Sequence, residues 1–99
     1  MAKYFLTKKA VQDLTDIWLY TKEEWSEDQA DKYYYYLLDA CQEVADNPNL
    51  AKQYEEVTAG LVGIRANRHI IFFRVLSKSE IEVFRILHGM MDLKSKIKG

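Results

Sequence analysis

The hydrophobic pattern of this chain changes period once, and that change is the strongest constraint on its fold. Between Ala10 and Val44, apolar residues recur every three or four positions, which is the spacing of amphipathic helices. From Gly63 to Leu87 the period falls to two, and β-branched and aromatic residues dominate. A chain that places its helices before a run of strands is typical of an α+β fold, with the helices packed on one face of a sheet.

Two helices are predicted before the period changes, and capping residues mark their ends. Thr7 is suited to cap the first helix, whose apolar spacing continues to about Glu24 or Trp25. The four residues SEDQ that begin at Ser26 match a capping box for the second helix, and Pro48 ends that helix. Since a single residue joins the two helices, they must form an αα-hairpin.

Four strands are predicted, one before the helices and three after them. They are Lys3–Leu6, Gly63–Ala66, His69–Leu76 and Glu80–Leu87. Residues 49–60 have the composition of a polar, irregular connector, and residues 93–97 are compatible with one closing helical turn. The predicted order is therefore β-αα-βββ, with a small and mostly antiparallel sheet and a short C-terminal helical tail.

Length and composition exclude several classes of protein. The 99 residues suit one domain, residues 1–99, with a single modest core. No apolar run approaches the roughly 20 residues of a membrane span and no signal peptide is visible, so we expect a cytoplasmic protein with no membrane partner. Cys41 lies in the apolar stripe of the second helix and is interpreted as a buried small hydrophobe. One cysteine and two histidines are too few for the usual four Cys or His ligands of a structural zinc site, and we expect no metal or cofactor.

Acidic and basic residues are distributed unevenly along the chain. Residues 1–60 hold six lysines against twelve acidic residues, a formal charge of −6. Residues 61–99 hold eight lysines or arginines against three acidic residues, a formal charge of +5. This asymmetry is compatible with a basic face for nucleic acid or an acidic protein segment, and equally with a solvated surface whose two signs attract across the fold.

Three ordered stretches of the chain carry a family pattern. They are YFLTKKAVQDLTDIWLYTKEEWS, GIRANRHIIFFRV and IEVFRILHGMMDL. Together they span nearly the whole chain, and they resemble the ParE branch of the RelE/ParE superfamily, the toxin halves of bacterial toxin–antitoxin pairs. The resemblance implies a toxin that inhibits DNA gyrase and is neutralised by a cognate ParD-like antitoxin. It also implies that the toxin alone makes no direct sequence-specific contact with nucleic acid.

The superfamily also contains RelE-like enzymes that cut messenger RNA on the ribosome, and this activity is the alternative. Such enzymes are expected to place a tyrosine, or a histidine–tyrosine pair, after the last strand and cations on the facing strands. Here all seven tyrosines lie at or before Tyr54. A nuclease site would have to use His88 with Arg65, Arg74 and Arg85. The pattern therefore favours a toxin that is not an enzyme, and an inactive antitoxin-binding domain is a third alternative.

The end of the last predicted strand also has a purely structural interpretation. His88 can cap the strand end or bond the backbone, and His69 is interpreted in the same way. Gly89 fits a tight turn with a positive φ. Arg74 and Arg85 can bind phosphate, but they can equally pair with glutamates of the last strand or with an antitoxin carboxylate.

Two surfaces are candidates for binding the antitoxin or the target. Tyr35 and Tyr36 should be the most exposed of four consecutive tyrosines, either covering neighbouring side chains or forming an interface. In the tail, Met90, Leu93 and Ile97 should form one stripe that docks on the sheet while the lysines project, so we expect the tail to serve target binding more than core stability. The candidate binding residues are Arg65, Arg74, Arg85, Tyr35, Tyr36, Met90, Met91, Lys94, Lys96 and Lys98.

Overall fold

The computed structural model describes residues 2–98 and has the predicted element order, with one short strand added. The elements are β1 (Lys3–Leu6), α1 (Lys8–Glu24), α2 (Glu27–Asp46), β2 (Lys52–Gln53), β3 (Val62–Ala66), β4 (His69–Ser77), β5 (Glu80–His88) and α3 (Leu93–Lys98). The prediction of an α+β fold with an αα-hairpin and a short C-terminal helix is confirmed. None of the helices among these residues is long and apolar enough to cross a membrane.

The predicted helix caps are present, and one of them also ties a helix to the sheet. The Thr7 hydroxyl oxygen accepts the N–H of Ala10 at 3.1 Å, and the Ser26 hydroxyl oxygen accepts the N–H of Gln29 at 3.1 Å. Each bond satisfies an N–H that the first helical turn leaves without a partner. The Thr7 hydroxyl also donates to the carbonyl of Phe84 at 3.1 Å. The start of α1 is therefore fixed against the middle of β5.

The five strands form one mixed sheet in the order β1-β5-β4-β3-β2. β1 runs parallel to β5, and the other neighbouring pairs are antiparallel. The register between β4 and β5 places His69 directly opposite His88. The two histidines of the chain, 19 positions apart in the sequence, are thus cross-strand neighbours.

The αα-hairpin covers one face of the sheet, and the main core lies between them. Fully or almost fully buried residues of the helices meet strand residues there, namely Ala10, Leu14, Leu37, Cys41 and Val44 against Ile71, Phe73, Ile81, Val83 and Ile86. Cys41 is completely buried, as predicted, and burial raises the pKa of its thiol to about 12. The thiol is therefore protonated at neutral pH and acts as a small apolar side chain.

The connector prediction for residues 49–60 is wrong in one respect. Tyr54 and Val57, each 7% exposed, pack with Phe72 in a second, smaller cluster on the other face of the sheet. Successive strand residues point to opposite faces, so β4 directs Phe72 away from the helices and that side needs its own cover. The few apolar residues of the connector supply it together with Leu93 and Ile97 of α3. The expectation of a single core was therefore incorrect, while the predicted docking of the tail on the sheet is confirmed.

Among residues 2–98, backbone conformations with positive φ occur in two turns but not at the predicted glycine. They are found at Gly60, with a φ of 77°, and at Asn67, with a φ of 59°. Gly89 does not adopt one, so that prediction was wrong. A Cβ atom at Gly89 would instead lie 3.1 Å from a guanidinium nitrogen of Arg65. The small size of Gly89, rather than its backbone freedom, is what allows Arg65 to lie against the end of β5.

Candidate functional site

An open cleft of about 560 Å³ lies between α1, α2 and the neighbouring ends of β4 and β5. Aromatic rings form part of its lining, contributed by Tyr20 and Trp25 of the first helical segment and by Tyr33 of α2. Nitrogen-bearing side chains line it from the sheet, contributed by Arg68, His69 and His88. The fold thus brings together in one concave site groups that are far apart in the sequence.

A short hydrogen bond joins the two sides of the cleft. The Tyr33 hydroxyl lies 2.6 Å from Nδ1 of His69 and 3.4 Å from the carbonyl oxygen of Ala66. The His69 and His88 rings meet edge to face, with centroids 5.2 Å apart. The pairing of His69 with Tyr33 was not predicted from the sequence, which suggested only a structural role at the strand end for this histidine.

The protonation states of this cluster follow from its burial. Burial, with a smaller contribution from the neighbouring His88, lowers the pKa of His69 to about 4, while Asp13 acts in the opposite direction. Burial also raises the pKa of Tyr33, although a backbone N–H of Arg68 partly offsets this. Both groups are therefore neutral at neutral pH, and a short hydrogen bond joins them.

His88 has the backbone role that was predicted for it. Its Nδ1 accepts the N–H of Met90 at 3.0 Å, which holds the turn that follows β5. Gly89 closes the same turn by donating its N–H to the carbonyl of Arg68 at 2.9 Å. The strand end is thus fixed from two directions, and His88 is one of the residues that line the cleft.

Arg85 is held by an ion pair that the sequence analysis missed. Its Nε and Nη2 donate to the two carboxylate oxygens of Asp13 at 2.9 and 3.0 Å, and its Nη1 donates to the carbonyl of Lys96 at 2.9 Å. Asp13 also accepts the backbone N–H of Ile86 at 2.9 Å. Only 17% of the Arg85 side chain and 11% of the Asp13 side chain are exposed. This pair therefore connects α1, β5 and α3 through a largely buried, bidentate contact.

The other two arginines of the predicted site have separate partners. Arg74 pairs with Glu82 at 2.9 Å, one of the glutamates of the last strand, and lies 4.9 Å from the centre of the Phe84 ring. Arg65 donates from Nε to the carbonyl of Asn67 at 3.0 Å. The nuclease alternative requires Arg65, Arg74 and Arg85 to lie together around His88. Instead, Arg65 and Arg74 are each held by a partner of their own.

The arrangement separates the predicted site residues into two groups. Arg85, His88, Met91 and Lys96 border one small pocket of about 180 Å³ that continues from the cleft. Arg74 borders a different groove, which it shares with Arg85 and the lysines at the start of α1. Arg85 is thus the link between the two regions. Among residues 2–98, no group of three or more His, Cys, Asp or Glu side chains lies where it could hold a metal ion.

The predicted surface residues are exposed, with one error of geometry. Tyr35 and Tyr36 are 63% and 45% exposed, as expected. Met90 is 85% exposed because it lies in the turn before α3, so it does not continue the stripe of Leu93 and Ile97. Met91 is 38% exposed and lines the cleft, and Lys94 and Lys96 are exposed on α3. The side chain of Lys98 lies outside the described residues.

The low pKa of His69 predicts a specific loss of stability in mild acid. Below about pH 6.5 the unfolded chain binds a proton at this ring, whereas the folded protein resists that proton until about pH 4. The contribution of His69 is thus complete above pH 6.5 and is lost as the pH falls towards 4. Because the ring is only partly buried, we expect a loss of about 1–2 kcal/mol in the free energy of unfolding across this window.

Urea denaturation at pH 7 and pH 4.5 measures this effect. The His69→Gln variant is the control, since it keeps the carboxylates that also titrate but removes the imidazole. The wild type should lose about 1–2 kcal/mol more than the variant. An NMR titration that gives His69 an ordinary pKa near 6.5 would contradict the assignment.

Comparison with known proteins gives matches over nearly the whole chain. A family model described as the ParE toxin of the type II toxin–antitoxin system parDE matches residues 4–93. Toxin ParE1 of Mycobacterium tuberculosis strain H37Rv is 34% identical over 93% of this chain and 94% of the relative. Toxin ParE1 of Caulobacter vibrioides is 30% identical over 98% of this chain and 99% of the relative. A solved structure, the chromosomal ParDE TA system from P. aeruginosa, has the same fold, with a TM-score of 0.75 at 20% identity over 89% of this chain and 96% of the solved chain.

Proposed function

Since the chain belongs to the ParE family of toxins from type II toxin–antitoxin systems, we propose that it inhibits DNA gyrase and is neutralised by a cognate ParD-like antitoxin. The observation that carries the proposal is the extent of the match, which covers 93% and 98% of this chain in two toxins of the family. We further propose that residues 1–99 act as one domain, and that they act in the cytoplasm, where gyrase works. The inhibition requires no catalytic step by this chain.

The internal contacts of the arginines support a role without catalysis. Cleavage of RNA at a 2′-hydroxyl needs cations that are free to approach a phosphate. The Arg85 guanidinium makes three hydrogen bonds within the protein, and Arg74 is paired with Glu82. Moving either cation to a substrate would break a contact that stabilises the fold.

The cleft contains a histidine–tyrosine pair, which is a feature expected of RelE-like enzymes. The test of function should therefore also cover the RelE-like alternative. Tyr33 lies beside His69, whose ring meets that of His88, so the fold supplies the ring that the tail lacks. However, a general base works best when its pKa lies near the operating pH, and the pKa of His69 is about 4. Burial raises the pKa of Tyr33, and its hydroxyl is already hydrogen-bonded to Nδ1 of His69. The pair is therefore poorly suited to proton transfer at neutral pH.

Binding of the antitoxin and the target is proposed for the exposed candidates of the sequence analysis. Tyr35 and Tyr36 offer amphipathic rings on α2, and Lys94 and Lys96 offer positive charge on α3. Arg65 and Arg74 add positive charge on the sheet, and β1 and β2 are the edge strands to which a partner segment can add. An acidic antitoxin segment suits the positive charge of residues 61–99.

The purified protein should inhibit supercoiling by gyrase and trap cleaved DNA, while ribosome-bound messenger RNA stays intact. Supercoiling gels and primer extension on ribosome-bound message measure the two activities in parallel. His88→Ala is the informative variant, because His88 is the histidine on which a nuclease mechanism would depend. Message cleavage that this substitution abolishes would replace the gyrase proposal with the RelE-like one.

A further inference from the structure

The two histidines that line the cleft from the sheet each have Nδ1 engaged in a hydrogen bond within the protein. Nδ1 of His88 accepts the N–H of Met90, so the ring proton of His88 must lie on Nε2. Nδ1 of His69 is occupied by its short hydrogen bond with the Tyr33 hydroxyl. Both rings line the cleft. His88 therefore offers an N–H donor to a ligand and has no acceptor nitrogen left.

Arg68 adds a full positive charge to the same group. It lines the cleft, and it is close enough to act on the charge of the Tyr33 hydroxyl. Within residues 2–98, Arg68 forms no ion pair, in contrast to Arg74 and Arg85. A guanidinium beside the N–H donor of His88 is suited to bind a carboxylate, which has acceptors only.

Apolar and aromatic side chains form another part of the lining of the cleft. Trp25 and Tyr20 are 73% and 65% exposed, an unusual exposure for such large rings in one place. Ile17 and Met91 complete this surface. A ligand that fits must therefore carry its carboxylate on an apolar body that can cover these side chains.

Asp16 limits where the carboxylate can lie. It also lines the cleft, and its Oδ1 accepts the side-chain amide of Gln12 at 2.9 Å. A bound carboxylate must avoid this second negative charge, so it should lie against Arg68 and His88. The Asp16 side of the cleft then suits the backbone N–H groups of the ligand.

We propose that this cleft is a recognition site for a carboxylate on an apolar stem, supplied by an acidic segment of a partner protein in which an aspartate or glutamate adjoins an aromatic or aliphatic residue. The occupant is a peptide because the cleft offers complementary positions for a carboxylate, an apolar side chain and backbone N–H groups. The proposal rests on the proposed function only for the identity of the partner, which would be the antitoxin.

A small probe tests the site without a partner. We would titrate the protein with 3-phenylpropionate and, as the uncharged control, with 3-phenylpropionamide, recording the imidazole and indole nitrogens by NMR. The carboxylate should bind at least tenfold more tightly than the amide, shifting His69, His88 and the Trp25 indole. Trp18 is an internal reference, since its indole N–H is bonded to Asp31 at 2.9 Å.

Matched substitutions locate the binding. Arg68→Gln should weaken binding of the carboxylate probe about tenfold and leave the amide unaffected. Lys78→Gln removes an exposed charge from the turn between β4 and β5 and should change neither. Equal affinity for the two probes, or an equal effect of the two substitutions, would overturn the proposal.

The partner is tested separately with the cognate antitoxin. Arg68→Gln should weaken antitoxin binding about tenfold, whereas Lys78→Gln should not. If the probe binds as expected but gyrase is not inhibited, the carboxylate site is supported and the proposed inhibition of gyrase is wrong. If gyrase is inhibited but the probe does not distinguish carboxylate from amide, the cleft proposal fails alone.

Discussion

Replacing Asp13 by asparagine should lower the free energy of unfolding by about 3 kcal/mol, which corresponds to a fall in melting temperature of roughly 10–20 °C. Asp13 neutralises Arg85 through two hydrogen bonds and also accepts the N–H of Ile86. An asparagine of the same shape cannot neutralise the guanidinium, and the charge is then left largely buried. Breaking one partner of such a pair costs more than the pair itself contributes, because the remaining ion keeps its desolvation penalty.

The exposed ion pair of the same protein provides the control. Glu82→Gln makes the same chemical change opposite Arg74, whose side chain is 60% exposed. We expect a loss below about 1 kcal/mol there, because water solvates a guanidinium that loses its partner. Thermal and urea denaturation of the two variants measure the difference. Similar losses in both would mean that burial of the Asp13–Arg85 pair does not govern its energy.

The Asp13–Arg85 pair also marks the limit of what the sequence could predict. The two residues are 72 positions apart, and no local pattern connects them. One signal was present, since Asp13 lies within the helical face that holds Ala10 and Leu14. An acidic residue next to buried positions requires a partner, but only the packing of α1 on β5 identifies it as Arg85.

The pairing of the two histidines was not predicted, although the predicted strands contained a signal for it. Both histidines lie at the outer ends of strands that a short turn connects, and counting outward from the predicted turn at residues 77–79 places His69 opposite Leu87. In the structure the register between β4 and β5 shifts twice, between Val75 and Ser77 and between Phe72 and Phe73, and His69 lies opposite His88. Hairpin geometry alone therefore comes within one residue of the actual pairing. The contribution of Tyr33 depended on how α2 lies across the sheet, which periodicity does not specify.

Capping residues and proline predicted the boundaries of the helices well. The packing of the connector on the sheet could not be predicted from such local features. Thr7, Ser26 and Pro48 act on adjacent backbone, so their effects could be derived from the sequence alone. Tyr54 and Val57 lie in a segment whose composition is mostly polar, and their burial depends on Phe72 facing them from β4. Because the prediction for this segment rested on its overall polar composition, the burial of these two residues in the second cluster was not predicted.

The structure changes how the role of the C-terminal tail should be tested. The tail was expected to serve target binding more than core stability, but Ile97 packs on the second cluster and the carbonyl of Lys96 accepts a hydrogen bond from Arg85. A truncation would therefore alter the fold and the surface together. Ile97→Ala should by itself lower the free energy of unfolding by about 1–2 kcal/mol, since the side chain is half-buried.

Charge reversal isolates the proposed function of the tail from its structural role. The double substitution of Lys94→Glu and Lys96→Glu should raise the concentration needed for half-inhibition of gyrase supercoiling at least tenfold. Both side chains are exposed, so the melting temperature should stay within a few degrees of the wild type. Lys78→Glu in the β4–β5 turn is the control. It should leave inhibition unchanged, because this turn precedes β5 whereas α3 follows the other end of that strand. Full inhibition by a normally folded double variant would exclude these two lysines from target binding, and would leave α3 as a cover for the second cluster and a support for Arg85.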